Sequence, residues 1–385
     1  MAKPKLRFLE FTDEWEEKQL KDFMVFKNGL NADKDKFGSG IKFISVMDIL
    51  NNPFITYDII RGKVDVDEKT LDNYSVTYGD VLFQRSSETR EDAGKSNVYL
   101  DKKNTATFGG FVIRGKKIGD YSPEFMNSLL KTPKVRKEIT SKAQGAQHIN
   151  VGQETLENVS IALPTVKEQE KIADFLSSVD DLVQMQGEKI AVLEEQKKGI
   201  MQKLFNREVR FKADDGSEYP EWEERRLESL CYNIKSGKTK CIEEDGGYIL
   251  YGSTGMIGKT NNIEYDGEYI LVARVGANAG TVTLRKGKFG VSDNTLIVDN
   301  KENVDTKFLR FLLQNYNLKK LIFGSGQPLV TSGQLKKIEI QIPVKEEQNK
   351  IADCLSAYDE VIQIKKDKLE VWKEIKKGLL QQMFV

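Results

Sequence analysis

Few side chains of this 385-residue chain are spaced for covalent or metal chemistry. His148 is the single histidine, so a histidine triad or a histidine-rich metal site has one residue to grow from and no partner beside it. Cys231, Cys241 and Cys354 are scattered and odd in number, without metal-ligand spacing, which is the pattern of small reduced thiols in a cytoplasm. Some fragments imitate enzyme motifs and miss. Asn52–Phe54 is one proline short of the Asn-Pro-Pro-aromatic motif that grips an adenine for methylation. Phe-Gly-Ser-Gly at Phe37 and Phe323 lacks the glycine spacing of an S-adenosylmethionine loop. Gly258–Thr260 resembles the end of a phosphate loop, but Gly252 lies one residue too far upstream.

Side chains that read nucleic acid are better supplied. Arginine offers paired donors to guanine, asparagine and glutamine pair a donor and an acceptor with adenine, and serine or threonine serves either. Such groups act from loops that a scaffold presents to a groove. In the first half of the chain one such loop carries Arg85, Ser86, Ser87, Arg90 and Lys95. A later Gly-Gln loop adds Gln144, Gln147, His148 and Asn150. In the second half, Lys235, Lys238 and Lys240 suit phosphates. Tyr251, Ser253, Thr254 and Lys259 share one turn-rich stretch, Arg274 and Asn278 another, and Gln327 lies in a second Gly-Gln loop. The basic run Lys131, Lys134, Arg136, Lys137 and Lys142 suits either phosphates or an ordinary solvated helix face. Lysine plus arginine equal aspartate plus glutamate at 59 each, so the formal net charge is zero. That counts against a stand-alone DNA binder, which is usually basic, but not against one whose partners share the phosphate contacts.

The elements that must position these loops come in duplicate. Without a gap, Gly145–Phe205 aligns with Gly324–Phe384 at an offset of 179, and 19 of 43 positions from Leu163 to Phe205 are identical. The matched stretch follows a proline, and Thr165 with Glu168 has capping-box spacing that Val344 breaks in the second copy. Apolar residues then recur at steps of four and three: Ile172, Leu176, Val179, Val183, Ile190 and Leu193. The second copy gives Ile351, Leu355, Tyr358, Ile362, Leu369 and Trp372. A seven-residue repeat marks a coiled-coil seam, and the simplest partner for each helix is the other copy, antiparallel. Each helix of about 40 residues spans about 60 Å. Gln186/Lys365 and Lys197/Lys376 place polar residues on both seams, and the recurring Gly199/Gly378 suggests a close approach by another helix.

Before each helix stands a segment rich in Gly, Val, Ile, Tyr and Thr that reads as short strands. Each opens on a Trp motif, Glu14–Leu20 or Glu221–Leu227, preceded by Arg7–Phe8 or Arg210–Phe211. The chain therefore reads as a ring of two repeats cut at one linker, which predicts ends lying together. The expected divisions are 1–163, a helix over 164–205, a linker over 206–220, a second domain over 221–342 and a helix over 343–385. No apolar run reaches the roughly 18 residues that cross a bilayer, and no signal-peptide core opens the chain, so a cytoplasmic location is expected.

Pro164–Val183 and Pro343–Ile362, each closing a domain that opens with Glu-Trp-Glu-Glu, resemble the specificity subunits of bacterial type I restriction–modification systems. Gly79–Ser86 and Tyr269–Gly276 carry the same resemblance, which covers nearly the whole chain. It implies two α/β (α+β) target recognition domains in tandem, separated by two long helices packed as an antiparallel coiled coil with pseudo-two-fold symmetry. It also implies a non-catalytic subunit that reads a bipartite double-stranded DNA target, partnered by two modification (methyltransferase) subunits and by restriction subunits. S-adenosylmethionine, ATP and Mg would then belong to those partners, with no metal or cofactor in this chain. The rival readings are a self-sufficient DNA methyltransferase or nuclease, and a coiled-coil scaffold for protein ligands.

Overall fold

The computed structural model describes residues 3–145, 147–239, 246–322 and 328–385. The chain divides into two compact units, Met1–Met185 with Leu369–Val385, and Gln186–Lys368.

In the first unit the strands are β1 (Glu16–Gln19), β2 (Met24–Asn28), β3 (Phe37–Ile44), β4 (Lys63–Val64), β5 (Val81–Gln84), β6 (Ser86–Ser87), β7 (Ser96–Val98), β8 (Thr107–Phe108), β9 (Val112–Lys117), β10 (Ile149–Asn150) and β11 (Ser160–Leu163). The helices are α1 (Val46–Leu50), α2 (Glu68–Tyr74), α3 (Pro123–Leu129), α4 (Pro133–Lys142), α5 (Gln153–Glu157) and the first half of α6 (Val166–Phe205). A four-stranded sheet runs β2-β9-β5-β7, and a smaller one β4-β3-β8. Every residue of β5 is buried. Side chains alternate between faces of a strand, so Val81 and Phe83 enter a core shared with α3 and α6, while Leu82 enters a second core with Ile44 and Phe108.

In the second unit the strands are β12 (Glu223–Arg226), β13 (Cys231–Ser236), β14 (Tyr248–Gly252), β15 (Gly255–Thr260), β16 (Tyr265–Ala273), β17 (Val282–Val291), β18 (Thr295–Asn300) and β19 (Glu339–Ile342). The helices are α7 (Thr306–Tyr316), α8 (Ser332–Lys336) and the first part of α9 (Lys345–Met383). One mainly antiparallel sheet runs β13-β18-β16-β17-β14-β15. Ile270, Val272, Leu296 and Val298 pack on α7, while Leu271, Phe289, Val291 and Ile297 form an apolar layer on the opposite face.

Each domain is fixed to the start of its long helix by the same contacts. Antiparallel ribbons β1–β11 and β12–β19 bring the Trp motif against the strand that leads into the helix. Arg7 donates through Nε and Nη2 to the Glu168 carboxylate, both at 2.7 Å, and Trp15 Nε1 donates to it at 3.4 Å. Arg210 and Trp222 do the same to Glu347, at 3.1, 2.9 and 3.2 Å. Gln169 donates to Pro164 O and accepts from the backbone N–H of Ser122, the N-cap of α3. Gln348 donates to Pro343 O and accepts from Asp305, the N-cap of α7. Here the sequence expectation is corrected: Glu168 does not close a capping box with Thr165, because its carboxylate answers the Arg7 guanidinium and the Trp15 indole. The repeat of Glu at this position has a tertiary cause.

The seam positions are buried or half-buried at every expected residue from Ile172 to Leu193 and from Ile351 to Trp372. Within the first unit Ile172 and Leu176 share a core with Met383 and Phe384, and Asp180 pairs with Lys376. Within the second, Leu204 shares a core with Ile351 and Leu355, Lys197 pairs with Asp359, and Glu194 with Lys366 at 2.6 Å. Rising numbers on α6 meet falling numbers on α9, so the segments run antiparallel in each unit. A Cβ on Gly199 would meet nothing within 4 Å, and one on Gly378 only Gln382 at 3.9 Å, so no neighbour within the chain requires either glycine. The chain ends meet in the first unit, where the Leu6 N–H donates to Gln382 O at 2.9 Å. No helix among the described residues is long and apolar enough to cross a membrane.

Candidate functional site

In the first domain, strands β6 and β10 pair antiparallel, Ser86 opposite Asn150 and Ser87 opposite Ile149. That pairing joins the loop after β5 to the Gly-Gln loop, and Ser86 Oγ donates to Asn150 Oδ1. Gln144 and Asn150 exchange both backbone hydrogen bonds, closing a tight loop that exposes Gln144, Gln147, His148 and Asn150 together. Gly145 stands at φ +119°, where a Cβ would lie 2.0 Å from His148 O, so only glycine fits the turn. Arg85 lies beneath, its backbone tied to Phe111 and Val151 and its Nη1 3.4 Å from Gly110 O.

Of the remaining first-domain candidates, Ser87 belongs to this ribbon and the others lie apart from it. Arg90 donates to the carbonyls of Thr140 and Ala143 at the C-terminal end of α4, where a cation complements the helix dipole. Ser87 is buried and accepts from Thr89 N–H. Lys95 pairs with Asp92 at 2.6 Å and borders a 300 Å³ cavity with Lys131 and Arg136. Arg136 is committed to the carbonyls of Gly94, Glu91 and Ala93, and burial lowers its pKa.

In the second domain the candidates converge on the sheet face that carries Phe289 and Ile297. A concavity of about 260 Å³ gathers Tyr251 from β14, Ser253 and Thr254 from the turn after it, and Asn278 from a separate loop. The same concavity holds Arg285, Thr283 and Thr295, which the loop-based reading missed. They lie in strands, where the polar residues of Thr-Val-Thr-Leu-Arg alternate with apolar ones; that two-residue period was the available signal. The Arg285 guanidinium lies 4.9 Å from the Tyr251 ring centre, a cation–π contact. Arg274 stands beside Ser253: the Arg274 N–H and the Ser253 hydroxyl both donate to Asn294 O.

Lys235 lies on β13 with its ammonium 5.8 Å from the Tyr265 ring, Lys238 is exposed, and Lys259 is exposed on β15. Lys240, Gln327 and Cys241 lie outside the described residues. Gly258–Thr260 falls within a strand, so it forms no phosphate loop. Cys231 is buried, which pushes its thiol up to about 12, with Asp299 adding to the effect; such a thiol is inert at neutral pH. No group of His, Cys, Asp and Glu among the described residues is arranged to hold a metal ion. These faces offer hydrogen-bonding, stacking and cationic groups, and they are built differently in the two domains.

Comparison with known proteins agrees with this arrangement. The family model described as "Type I restriction modification DNA specificity domain" matches residues 12–195 and 219–374. A putative type I restriction enzyme MjaX specificity subunit from Methanocaldococcus jannaschii is 29% identical, covering 96% of this chain and 93% of its own. The MjaVIII specificity subunit of the same organism is 28% identical, covering 75% and 76%. Among solved structures, the S subunit of a type I restriction–modification system from M. genitalium has a TM-score of 0.58 at 16% identity and 99% coverage of both chains. The HsdS subunit of Thermoanaerobacter tengcongensis has a TM-score of 0.51 at 15% identity, covering 97% of each.

Proposed function

This chain belongs to the type I restriction modification DNA specificity family, as a non-catalytic DNA-recognition subunit, and on that premise we propose how it works. Each recognition domain reads one half-site of a bipartite double-stranded target. The paired helices fix the gap between half-sites and dock two modification subunits, which methylate adenine after flipping it from the duplex. S-adenosylmethionine sits on those subunits, and ATP and Mg on restriction subunits that join the assembly.

The observation that carries this reading is the contrast within each half. The anchor of Arg, Trp and Glu at the helix start is built twice with the same donor groups on the same carboxylate. The polar faces above it share almost nothing: a short ribbon with an exposed Gly-Gln loop in one domain, a concave sheet face in the other. Two unlike readers on one repeated mount suit two unlike half-sites. The long helices also leave an apolar column off their seam: Met185 and Val192 on α6, Ile364 and Val371 on α9, between 43% and 64% exposed. Gly199 and Gly378 continue each column one heptad on. An exposed column at heptad spacing suits a helix of a modification subunit, and the glycines would let its backbone come close.

The chain combined with its modification subunits should methylate adenine in one bipartite motif. Exchanging residues 14–162 for the matching domain of a relative should change one half-site and leave the other. Methylation that ignores the exchange, or that is the same without this chain, would overturn the reading.

A further inference from the structure

The geometry points to Arg285 as the residue through which the second domain demands a guanine, with the concavity around it as the pocket for that base edge. The inference rests on the DNA-recognition reading above and adds to it a residue and a base. Arg285 stands in β17, held between the Tyr251 ring and its own backbone, where Nη1 donates to Leu284 O at 3.0 Å. A guanidinium has five N–H donors and no acceptor. Of these, Nε is buried without a partner and Nη1 has one partner, so the Nη1/Nη2 end is left for a ligand.

The pocket has no carboxylate in its lining to neutralise that cation. Its floor is apolar, from Leu271 and Ala273, and Thr295, 2% exposed, holds its hydroxyl there without a partner. A buried hydroxyl left unsatisfied costs free energy that a ligand can recover. Guanine is the base whose major-groove edge offers two adjacent acceptors, O6 and N7, to such a fork. Adenine would set its own N6 donor against a guanidinium N–H. The hydroxyls of Ser253, Thr254 and Thr283 can turn to donate or accept, so they tolerate a neighbouring base rather than select it. Tyr251 holds the guanidinium in plane before DNA arrives, which spares part of the ordering cost of binding.

The test replaces Arg285 in the complete assembly with its modification subunits and maps methyladenine across a genome. With the natural chain, the motif should contain a guanine in one half-site. Arg285→Ala and Arg285→Met should each relax the preference at that position alone by roughly tenfold or more, leaving the other half-site as it was. Methionine keeps the stem without the charge or the fork, so it gives the answer if the alanine variant folds poorly. Arg285→Gln should shift the preference toward adenine. An unchanged motif in the Met variant, or uniform weakening at every site as for a phosphate contact, would overturn the assignment while leaving the recognition reading intact. A natural chain that imposes no motif on its partners would instead sink the reading itself.

Discussion

Glu168 and Glu347 are 1% and 0% exposed, and each carboxylate meets a bidentate arginine and an indole N–H. Removing a carboxylate from water costs several kcal/mol, which this attraction must offset. Arg7→Ala should therefore destabilise the first unit by about 3–5 kcal/mol, because it strands a buried charge. Arg7→Ala with Glu168→Gln should recover part of the loss, since the neutral amide costs less to bury. Urea unfolding measures both, and a cost below about 1 kcal/mol for Arg7→Ala would place the anchor among ordinary surface pairs. The double "Arg-Phe … Glu-Trp-Glu-Glu" phrase is plain in the sequence, and so is the paired Glu at 168 and 347. That these two repeats meet was not legible, because Arg7 and Glu168 stand 161 positions apart. Local pattern records which residues recur, and chain closure decides which of them touch. Arg285 is not legible from loop composition for a related reason: it lies in strand β17, where only the two-residue alternation marks an outward face.

At the level of elements, the residues at heptad spacing are buried or half-buried on both long helices, because burial along a helix is a matter of period. The seam lysines are the informative exception. Lys197 and Lys376 stand at equivalent positions and reach equivalent acids, Asp359 and Asp180. The two sites differ in what else arrives. Arg310 of α7 donates to Asp359 at 2.8 Å, so that carboxylate ties a domain helix as well as a seam lysine. In the first half Lys131, the basic residue just after α3, donates its ammonium to Pro53 O instead. Arg310 also lies over the Phe311 ring, at 3.9 Å. Asp359→Ala should cost about 1–2 kcal/mol, since it leaves two cations half-buried and unanswered. Asp180→Ala should cost about 0.2–1 kcal/mol, as an isolated partly exposed pair does. Thermal unfolding of the two variants compares them, and an equal or reversed order would mean that Arg310 adds nothing to the tie. The sequence offset of 179 predicts the pairing of sites; it does not predict which side chain turns away.

For the molecule as a whole, the constant part is the rod and the variable part is the reader. If the rods set the gap between half-sites, their length must be read out in base pairs. A whole heptad is the right unit to remove, because seven residues return the apolar seam to the same face while other numbers rotate it. The stretches Gln186–Val192 and Lys365–Val371 are equivalent under the 179 offset and can be deleted together. Seven residues at 1.5 Å each shorten each helix by about 10.5 Å, close to three base pairs at 3.4 Å. The doubly shortened chain should therefore direct methylation to the same two half-sites with a gap smaller by about three base pairs. Deleting either stretch alone leaves helices of unequal length and should reduce methylation without producing a clean new gap. Retention of the original gap in the doubly shortened chain would show that the partners, and not these helices, determine where the second half-site is sought.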